Sequence, residues 1–225
     1  MTAAPGPGER GPTAIRALPY VALGDSYTIG TALADDRERW PNQLVAALAT
    51  GSPMLELAAN LGVNGYTSAD VIEHELPALD AIRPEFASIL VGVNDVVQGV
   101  PLATYRANAG RILDQLRARL AADRIVAVGT PDYTVTPQGA AYGDPVVQAA
   151  AIRAANATLG ELAAAHGIAF VDIHDLSLRA AADRSLVADD GLHPSGAQYA
   201  LWVERIAPVV ARLIRGRASD GVRGG

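Results

Sequence analysis

The chain contains no cysteine, no long hydrophobic run and no cluster of lysine or arginine. Without cysteine there is no disulfide framework, no thiolate nucleophile and no cysteine-bound zinc, although this absence does not identify a compartment. A membrane-spanning helix needs a continuous apolar stretch of about 20 residues, so we expect no integral membrane association. The net charge of −6, with no basic cluster, argues against nucleic acid or an anionic membrane as the main partner.

Phe and Trp are also scarce, with two of each, which argues against an extended aromatic platform for polysaccharide. Residues 1–12 are rich in Pro and Gly and lack the apolar core of a secretory signal. The length of 225 residues fits one domain with a substantial core. We predict a disordered N-terminal lead over residues 1–16, a single domain over residues 17–215 and a flexible tail over residues 216–225. The protein is predicted to be cytoplasmic.

Apolar runs and amphipathic segments alternate along the chain. Predicted strands cover residues 18–23, 54–59, 86–91, 124–129 and 168–173. Predicted helices cover residues 37–49, 68–79, 102–120, 146–166 and 195–215, with Ser68 as a possible cap and Pro77 as a possible early stop for the second. Parallel strands need helical crossovers. The pattern therefore predicts an α/β fold, a layered sandwich with a mainly parallel central sheet.

Polar residues follow three of these predicted strands. Ser26 comes after the first strand, Asn64-Gly65 after the second and Asn94-Asp95 after the third. The carboxyl ends of parallel strands share one edge of a sheet, where open α/β sheets bind ligands. The three turns can therefore converge. A fourth polar cluster, residues 189–194, contains a histidine close to acidic residues and precedes the last helix.

These residues supply the parts that acyl transfer needs. Ser26 is a candidate nucleophile, and a serine hydroxyl is weak unless a base takes its proton. His193 is the candidate base. Asp190, three residues earlier, is placed to accept the other ring N–H and fix the tautomer. Candidate oxyanion donors are the Ser26 and Gly65 backbone N–H groups and the Asn94 side-chain amide, and a glycine at position 65 lets the backbone approach a ligand closely.

Four ordered motifs in this chain resemble those of the SGNH (GDSL-type) hydrolases. They are Gly24-Asp25-Ser26, Gly65 within Asn-Gly-Tyr-Thr, Gly92-Val93-Asn94-Asp95 and Asp190-Gly191-Leu192-His193, and the resemblance covers residues 18–215. It implies a flavodoxin-like three-layer α/β/α fold and a serine esterase that uses no metal or other cofactor. It further implies that Ser26, His193 and Asp190 form a catalytic triad and that Ser26, Gly65 and Asn94 form the oxyanion hole. The implied partner is a small-molecule ester.

Some assignments stay open at this level. Gly62 competes with Gly65 for the oxyanion position, and the motif context favours Gly65. Asp189 competes with Asp190 for the role of orienting His193, and the motif context favours Asp190. Asp95 is assigned a structural role in its turn. His174, with Asp172 and Asp175 nearby, could suggest a metal site, but this spacing is common by chance, and we predict no metal. His74 and His166 are predicted to lie on the surface.

The substrate is less well defined than the chemistry. The connection from Val96 to Pro101 is too short to build a deep lipid tunnel, which favours small to medium acyl groups. An acyltransferase with the same triad and a non-catalytic binding module on the same fold are the alternatives. The candidate pocket-lining residues are Tyr27, Trp40, Val96, Val97, Tyr133 and Leu192.

Overall fold

The structure, a computed structural model, describes residues 17–50 and 53–216. The predicted N-terminal lead lies outside the described residues. The predicted tail also lies outside them, except for Gly216, which ends the last helix.

Five strands form one parallel sheet in the spatial order β2-β1-β3-β4-β5. The strands are β1 (Ala17–Gly24), β2 (Met54–Asn60), β3 (Phe86–Leu90), β4 (Ile125–Val128) and β5 (Ala169–Val171). The chain runs outward from β1 to β2 and then returns to the other side of β1 as β3. This order is the flavodoxin-like one, whose crevice at the carboxyl ends of β1 and β3 is a common ligand site.

Helices cover both faces of the sheet. They are α1 (Ser26–Ile29), α2 (Trp40–Leu48), α3 (Ser68–Asp70), α4 (Leu79–Ile82), α5 (Val93–Val97), α6 (Leu102–Arg119), α7 (Pro145–Ala165), α8 (His174–Leu178) and α9 (Gly196–Gly216). Short 3₁₀ turns occupy Asp36–Glu38, Leu76–Ala78, Ala122–Arg124, Tyr133–Val135, Gly139–Tyr142, Arg179–Ala181 and Arg184–Leu186, and a π turn occupies Val71–Glu75.

Two hydrophobic clusters, one on each face of the sheet, hold the layers together. Side chains alternate between faces along a strand, so Tyr20 of β1 enters the cluster beneath α2 and α9, whereas Val21 enters the cluster beneath α4, α6 and α7. All five residues of β3 are buried, as expected for a central strand covered on both sides. The predicted three-layer α/β/α sandwich with a parallel sheet is confirmed.

Two details of the helix predictions are wrong. Thr67, not Ser68, caps α3: its hydroxyl accepts from the Asp70 amide, and the Asp70 carboxylate accepts from the Thr67 amide, which is a capping box. Pro77 does not end the helical path, because it lies in the first turn of a 3₁₀ segment, where no amide donor is needed. The path from Ser68 to Ile82 instead changes between α, π and 3₁₀ geometry.

Within the described ranges, no helix combines the length and apolar character needed to cross a bilayer.

Candidate active site

Ser26 is the first residue of α1 and follows the buried end of β1 directly. Asp25 caps this helix, since its carboxylate Oδ1 accepts the Tyr27 amide at 2.9 Å. The first amides of a helix have no partner inside the helix, so the Ser26 N–H is available to a ligand. The Ser26 side chain is largely buried but reaches a cavity at the carboxyl edge of the sheet.

Gly24 makes this turn possible. Its φ of +148° is one that residues with a side chain rarely adopt. A Cβ at this position would lie 2.0 Å from the Leu90 carbonyl oxygen and 2.5 Å from Thr28 Oγ1. The strand therefore passes β3 at a distance that only glycine allows, and the chain can turn at once into the helix that carries Ser26.

His193 and Asp190 are in direct contact. The ring Nδ1 of His193 lies 2.5 Å from Asp190 Oδ2, while Asp190 Oδ1 accepts the amides of Leu192 and His193 at 2.9 and 3.0 Å. Burial alone would raise the pKa of Asp190, but these hydrogen bonds outweigh it and lower the pKa below its usual value. The carboxylate is thus ionised at neutral pH and occupies Nδ1, which leaves Nε2 as the ring nitrogen available for proton transfer.

The loop carrying His193 is fixed from both sides. An isolated antiparallel bridge joins Val187 to Pro194, and Gly191 turns the chain at a φ of +73°. The His193 ring lies against the ring of Tyr27, with centroids 5.2 Å apart. Tyr199 of α9 donates its hydroxyl to the Tyr27 carbonyl at 2.9 Å. These contacts tie the last helix to the turn that holds Ser26.

Asn94 and Gly65 lie at the same cavity. The Asn94 Nδ2 donates one hydrogen to the Tyr66 carbonyl at 2.9 Å, which leaves its second hydrogen for a ligand. Gly65 has a φ of +86°, and an added Cβ would meet no protein atom within 4 Å. Its backbone angle, rather than contact with the protein, is therefore what favours glycine here.

Asp95 has the structural role predicted for it. Its carboxylate accepts the amide of Ser68 at 2.8 Å and the hydroxyl of Ser68 at 2.5 Å. This contact ties the start of α5 to the start of α3, and so holds the Asn94 turn against the Gly65 loop.

One cavity of about 240 Å³ brings these groups together. Its lining contains Ser26, Tyr27, Asn64, Gly65, Val93, Asn94, Val97, Tyr133, Tyr142, Leu192 and His193. The predicted lining residues Tyr27, Tyr133, Leu192 and Val97 are among them. Sequence reasoning missed Val93 and Tyr142. Tyr142 lies in a loop that contains Pro and Gly, where its ring contacts that of Tyr133 at 5.9 Å and its carbonyl accepts from Gln148 Nε2 at 3.1 Å.

Other predicted residues lie elsewhere. Trp40 is fully buried in the core beneath α9, because the first turn of α2 points inward. Val96 lies on the opposite side of α5 from Asn94 and lines a separate groove towards α6 and α7. Neither side chain lines the cavity. Gly62, the competitor of Gly65, packs against the Asp25 carbonyl and the Ile29 amide on the inner side of the turn.

The remaining candidates contact residues outside this cavity. His174 Nε2 lies 3.4 Å from Asp132 Oδ2, Asp175 pairs with Arg205, and an Asp172 oxygen accepts the His174 amide. Among the residues that the structure describes, no three His, Asp or Glu side chains are grouped to hold a metal ion. His74 is exposed, and His166 pairs with Asp114 at 2.9 Å.

A buried acid behind the Ser26 turn was not foreseen. The carboxylate of Glu75 accepts the Gly24 amide at 2.9 Å, and its side chain is almost fully enclosed. Burial raises the pKa of Glu75 to about 9 and also raises the pKa of the neighbouring Asp25. The sequence contains a signal for this residue, since Glu75 lies four residues from both Val71 and Leu79 and therefore on the apolar face of the predicted helix.

Comparison with known proteins shows the family of the chain. The profile of the GDSL-like Lipase/Acylhydrolase family matches residues 22–201. No curated protein matches significantly.

Solved structures share the fold. A lipase/acylhydrolase from Enterococcus faecalis is 20% identical, with a TM-score of 0.65 over 89% of this chain and 96% of the other. The psychrotrophic esterase EstA from Pseudoalteromonas sp., inhibited by monoethylphosphonate, is 18% identical, with a TM-score of 0.66 over 87% of this chain and 98% of the other. A variant of an acetyl xylan esterase from Geobacillus stearothermophilus is 18% identical, with a TM-score of 0.66 over 86% and 94%.

The family match covers well over half of the chain and includes Ser26, Gly65, Asn94 and the Asp190–His193 loop. The chain belongs to the GDSL-like lipase/acylhydrolase family and is a carboxylic ester hydrolase.

Proposed function

We propose that the protein hydrolyses esters of small to medium acyl groups with Ser26 as nucleophile, His193 as base and Asp190 as the group that orients the base. The observation that carries this proposal is the contact of His193 Nδ1 with Asp190 at a cavity that Ser26 also lines. An imidazole held in this way presents Nε2 as an acceptor for the serine proton.

The reaction proceeds in two halves. Ser26 Oγ attacks the ester carbonyl carbon while His193 takes the hydroxyl proton, and Asp190 stabilises the resulting imidazolium. The negative oxygen of the tetrahedral intermediate is held by the Ser26 and Gly65 amides and by the free Asn94 N–H. When the intermediate collapses, His193 returns the proton to the leaving alcohol. A water molecule activated by His193 then releases the acid from Ser26.

The size of the cavity supports the preference for smaller acyl groups. Its volume of about 240 Å³ is below the roughly 300–1,000 Å³ that is usual for pockets holding drug-sized ligands. Tyr27, Val97, Tyr133 and Leu192 give it a largely apolar wall, which suits an aliphatic acyl group. A cytoplasmic location remains a prediction from the sequence.

Labelling with a fluorophosphonate tests the nucleophile. We expect a covalent adduct on Ser26, located by peptide mass spectrometry, and no adduct in Ser26→Ala. Turnover of p-nitrophenyl esters of graded chain length should be highest for short and medium acyl groups and absent in Ser26→Ala. Wild-type turnover by Ser26→Ala would refute the assignment, and a preference for long acyl chains would refute the substrate class. Addition of an acceptor alcohol, with analysis of the products, distinguishes hydrolysis from acyl transfer.

A further inference from the structure

We propose that Glu75 is a positioning residue for the reaction at Ser26: its buried carboxyl group holds the Gly24 amide and so fixes the turn that presents Ser26. The inference rests on the proposed role of Ser26. Glu75 does not line the cavity, so it would act through the backbone and not on the substrate.

Glu75 reaches the β1–α1 turn because the helical path that carries it contains a π turn. Residues Val71–Glu75 form a π turn, a rare local widening of a helix that is often found near functional sites. Val71 and Glu75 face inward, whereas Glu73 and His74 are exposed. The turn thus places a single acid behind the carboxyl end of β1.

Glu75 acts on a point of the backbone that two parts of the site share. Its Oε2 accepts the Gly24 N–H at 2.9 Å, across 51 positions of sequence. The Gly24 carbonyl accepts the Val63 amide at 3.3 Å, and Val63 is two residues from Gly65. A displacement of Gly24 would therefore move both the Ser26 turn and the loop that carries the proposed oxyanion amide.

The surroundings of Glu75 favour the neutral acid. The ionisable groups acting on it are Asp25 of the β1–α1 turn and Asp70 of α3, and both are acidic. Asp95 of α5 in turn acts on Asp25, and His74 acts on Asp70. Glu75 Oε1 and Asp25 Oδ2 are both buried without a hydrogen-bond partner among the described side chains. Two ionised carboxylates in this position would be strongly unfavourable, and a proton on Glu75 removes one of the charges.

Three variants test the proposal. Glu75→Gln keeps a neutral carbonyl that can accept the Gly24 amide. Glu75→Leu removes the acceptor and leaves that amide buried without a partner. Glu73→Gln, an exposed acid on the same turn, is the matched control. For each folded variant, kcat and KM for p-nitrophenyl acetate are measured from pH 5 to pH 10.

Ionisation keeps the acceptor for the Gly24 amide but sets a second buried charge beside Asp25, and this repulsion should displace the turn that carries Ser26. We therefore expect the wild type to lose kcat at alkaline pH, and Glu75→Gln, which carries no charge, to keep its kcat over the same range. Glu75→Leu should show a kcat lower by roughly 10- to 100-fold with KM nearly unchanged, the scale expected for a small displacement of a reacting group. Glu73→Gln should follow the wild type. The proposal is overturned by a folded Glu75→Leu with wild-type kcat, by equal losses in Glu75→Gln and Glu75→Leu, or by the same alkaline limb in wild type and Glu75→Gln. If Glu75→Leu does not fold, the comparison of wild type with Glu75→Gln decides.

A second measurement does not depend on activity. The Gly24 amide resonance in a ¹⁵N NMR spectrum should shift with pH as Glu75 titrates, both in the wild type and in Ser26→Ala. The step near pH 9 should be absent in Glu75→Gln, whereas a step near pH 7 from the adjacent Asp25 should remain there. Persistence of the step near pH 9 in Glu75→Gln would overturn the proposal. Failure of the proposed function, shown by an active Ser26→Ala, leaves this titration unaffected, so the two failures can be told apart.

Discussion

Asn94→Ala is expected to lower kcat for p-nitrophenyl acetate by roughly 100- to 1000-fold, which is the usual effect of removing one oxyanion donor. In the structure, only one of the two hydrogens of the Asn94 amide is free to donate to the oxyanion. Asn94 Nδ2 has two hydrogens, and one of them already binds the Tyr66 carbonyl at 2.9 Å. The oxyanion exists only after attack by Ser26, so the loss should fall on kcat and leave KM nearly unchanged.

The same substitution also removes a contact that holds the Gly65 loop, at a cost of about 1 kcal/mol in unfolding free energy. Gln98→Ala is the matched control, because Gln98 Nε2 donates to the Gly65 carbonyl at 3.1 Å from an exposed position on the outer end of α5. It removes a tether of the same loop without removing an oxyanion donor. The reasoning is refuted if both variants lose kcat equally, or if Asn94→Ala retains wild-type kcat when steady-state kinetics are compared on folded samples.

Three further predictions address the base, the turn and the buried acid. Asp190→Asn should lower kcat by up to roughly four orders of magnitude because the imidazole of His193 loses its orientation. Asp189→Asn, at an exposed neighbour, should leave kcat unchanged. Steady-state kinetics on the pair would show the difference, and a fully active Asp190→Asn would exclude Asp190 as the residue that orients His193. Gly24→Ala should lower the unfolding free energy by at least about 1–3 kcal/mol through overpacking. Gly110→Ala, where a Cβ meets nothing within 4 Å, should raise the unfolding free energy by about 1 kcal/mol because alanine is the better helix former. Urea denaturation measures both changes, and equal effects would contradict the steric argument. The pKa of Glu75 is raised in the folded state, so its contribution to stability is complete below its unfolded pKa and is lost as pH rises towards about 9. The urea midpoint should therefore fall less steeply with pH in Glu75→Gln than in the wild type. Parallel curves for the two proteins would contradict this linkage.

Much of the fold follows from local patterns. The apolar runs that became β1 and β3 are long enough and sharply enough bounded to predict buried strands, and the periodic spacing of α6 predicts its extent to within a residue. The cap at Ser68 was wrong because Thr67 and Asp70 form a better reciprocal pair, and Asp95 binds Ser68 from another part of the chain. Local propensity contains no information about that partner.

The cavity residues also fall into two groups, those that local sequence patterns predict and those whose positions depend on tertiary packing. Ser26, Asn94 and His193, which line one cavity, could be proposed as site residues from sequence because each follows or precedes a regular element and carries polar chemistry in its side chain. Trp40 was misplaced because an aromatic residue near a helix start can face the core or a cavity, and only the packing of α9 decides between them. Tyr142 was missed because its position depends on a ring contact with Tyr133 within an irregular loop.

The hydroxyl of Tyr199 on the Tyr27 carbonyl joins positions 172 residues apart. During synthesis the β1–α1 turn therefore leaves the ribosome long before the helix that braces it. Until α9 has emerged, Trp40 and Leu44 of α2 lack the helix that packs against them. A prematurely terminated chain would therefore expose a hydrophobic surface and become a substrate for chaperones and proteases.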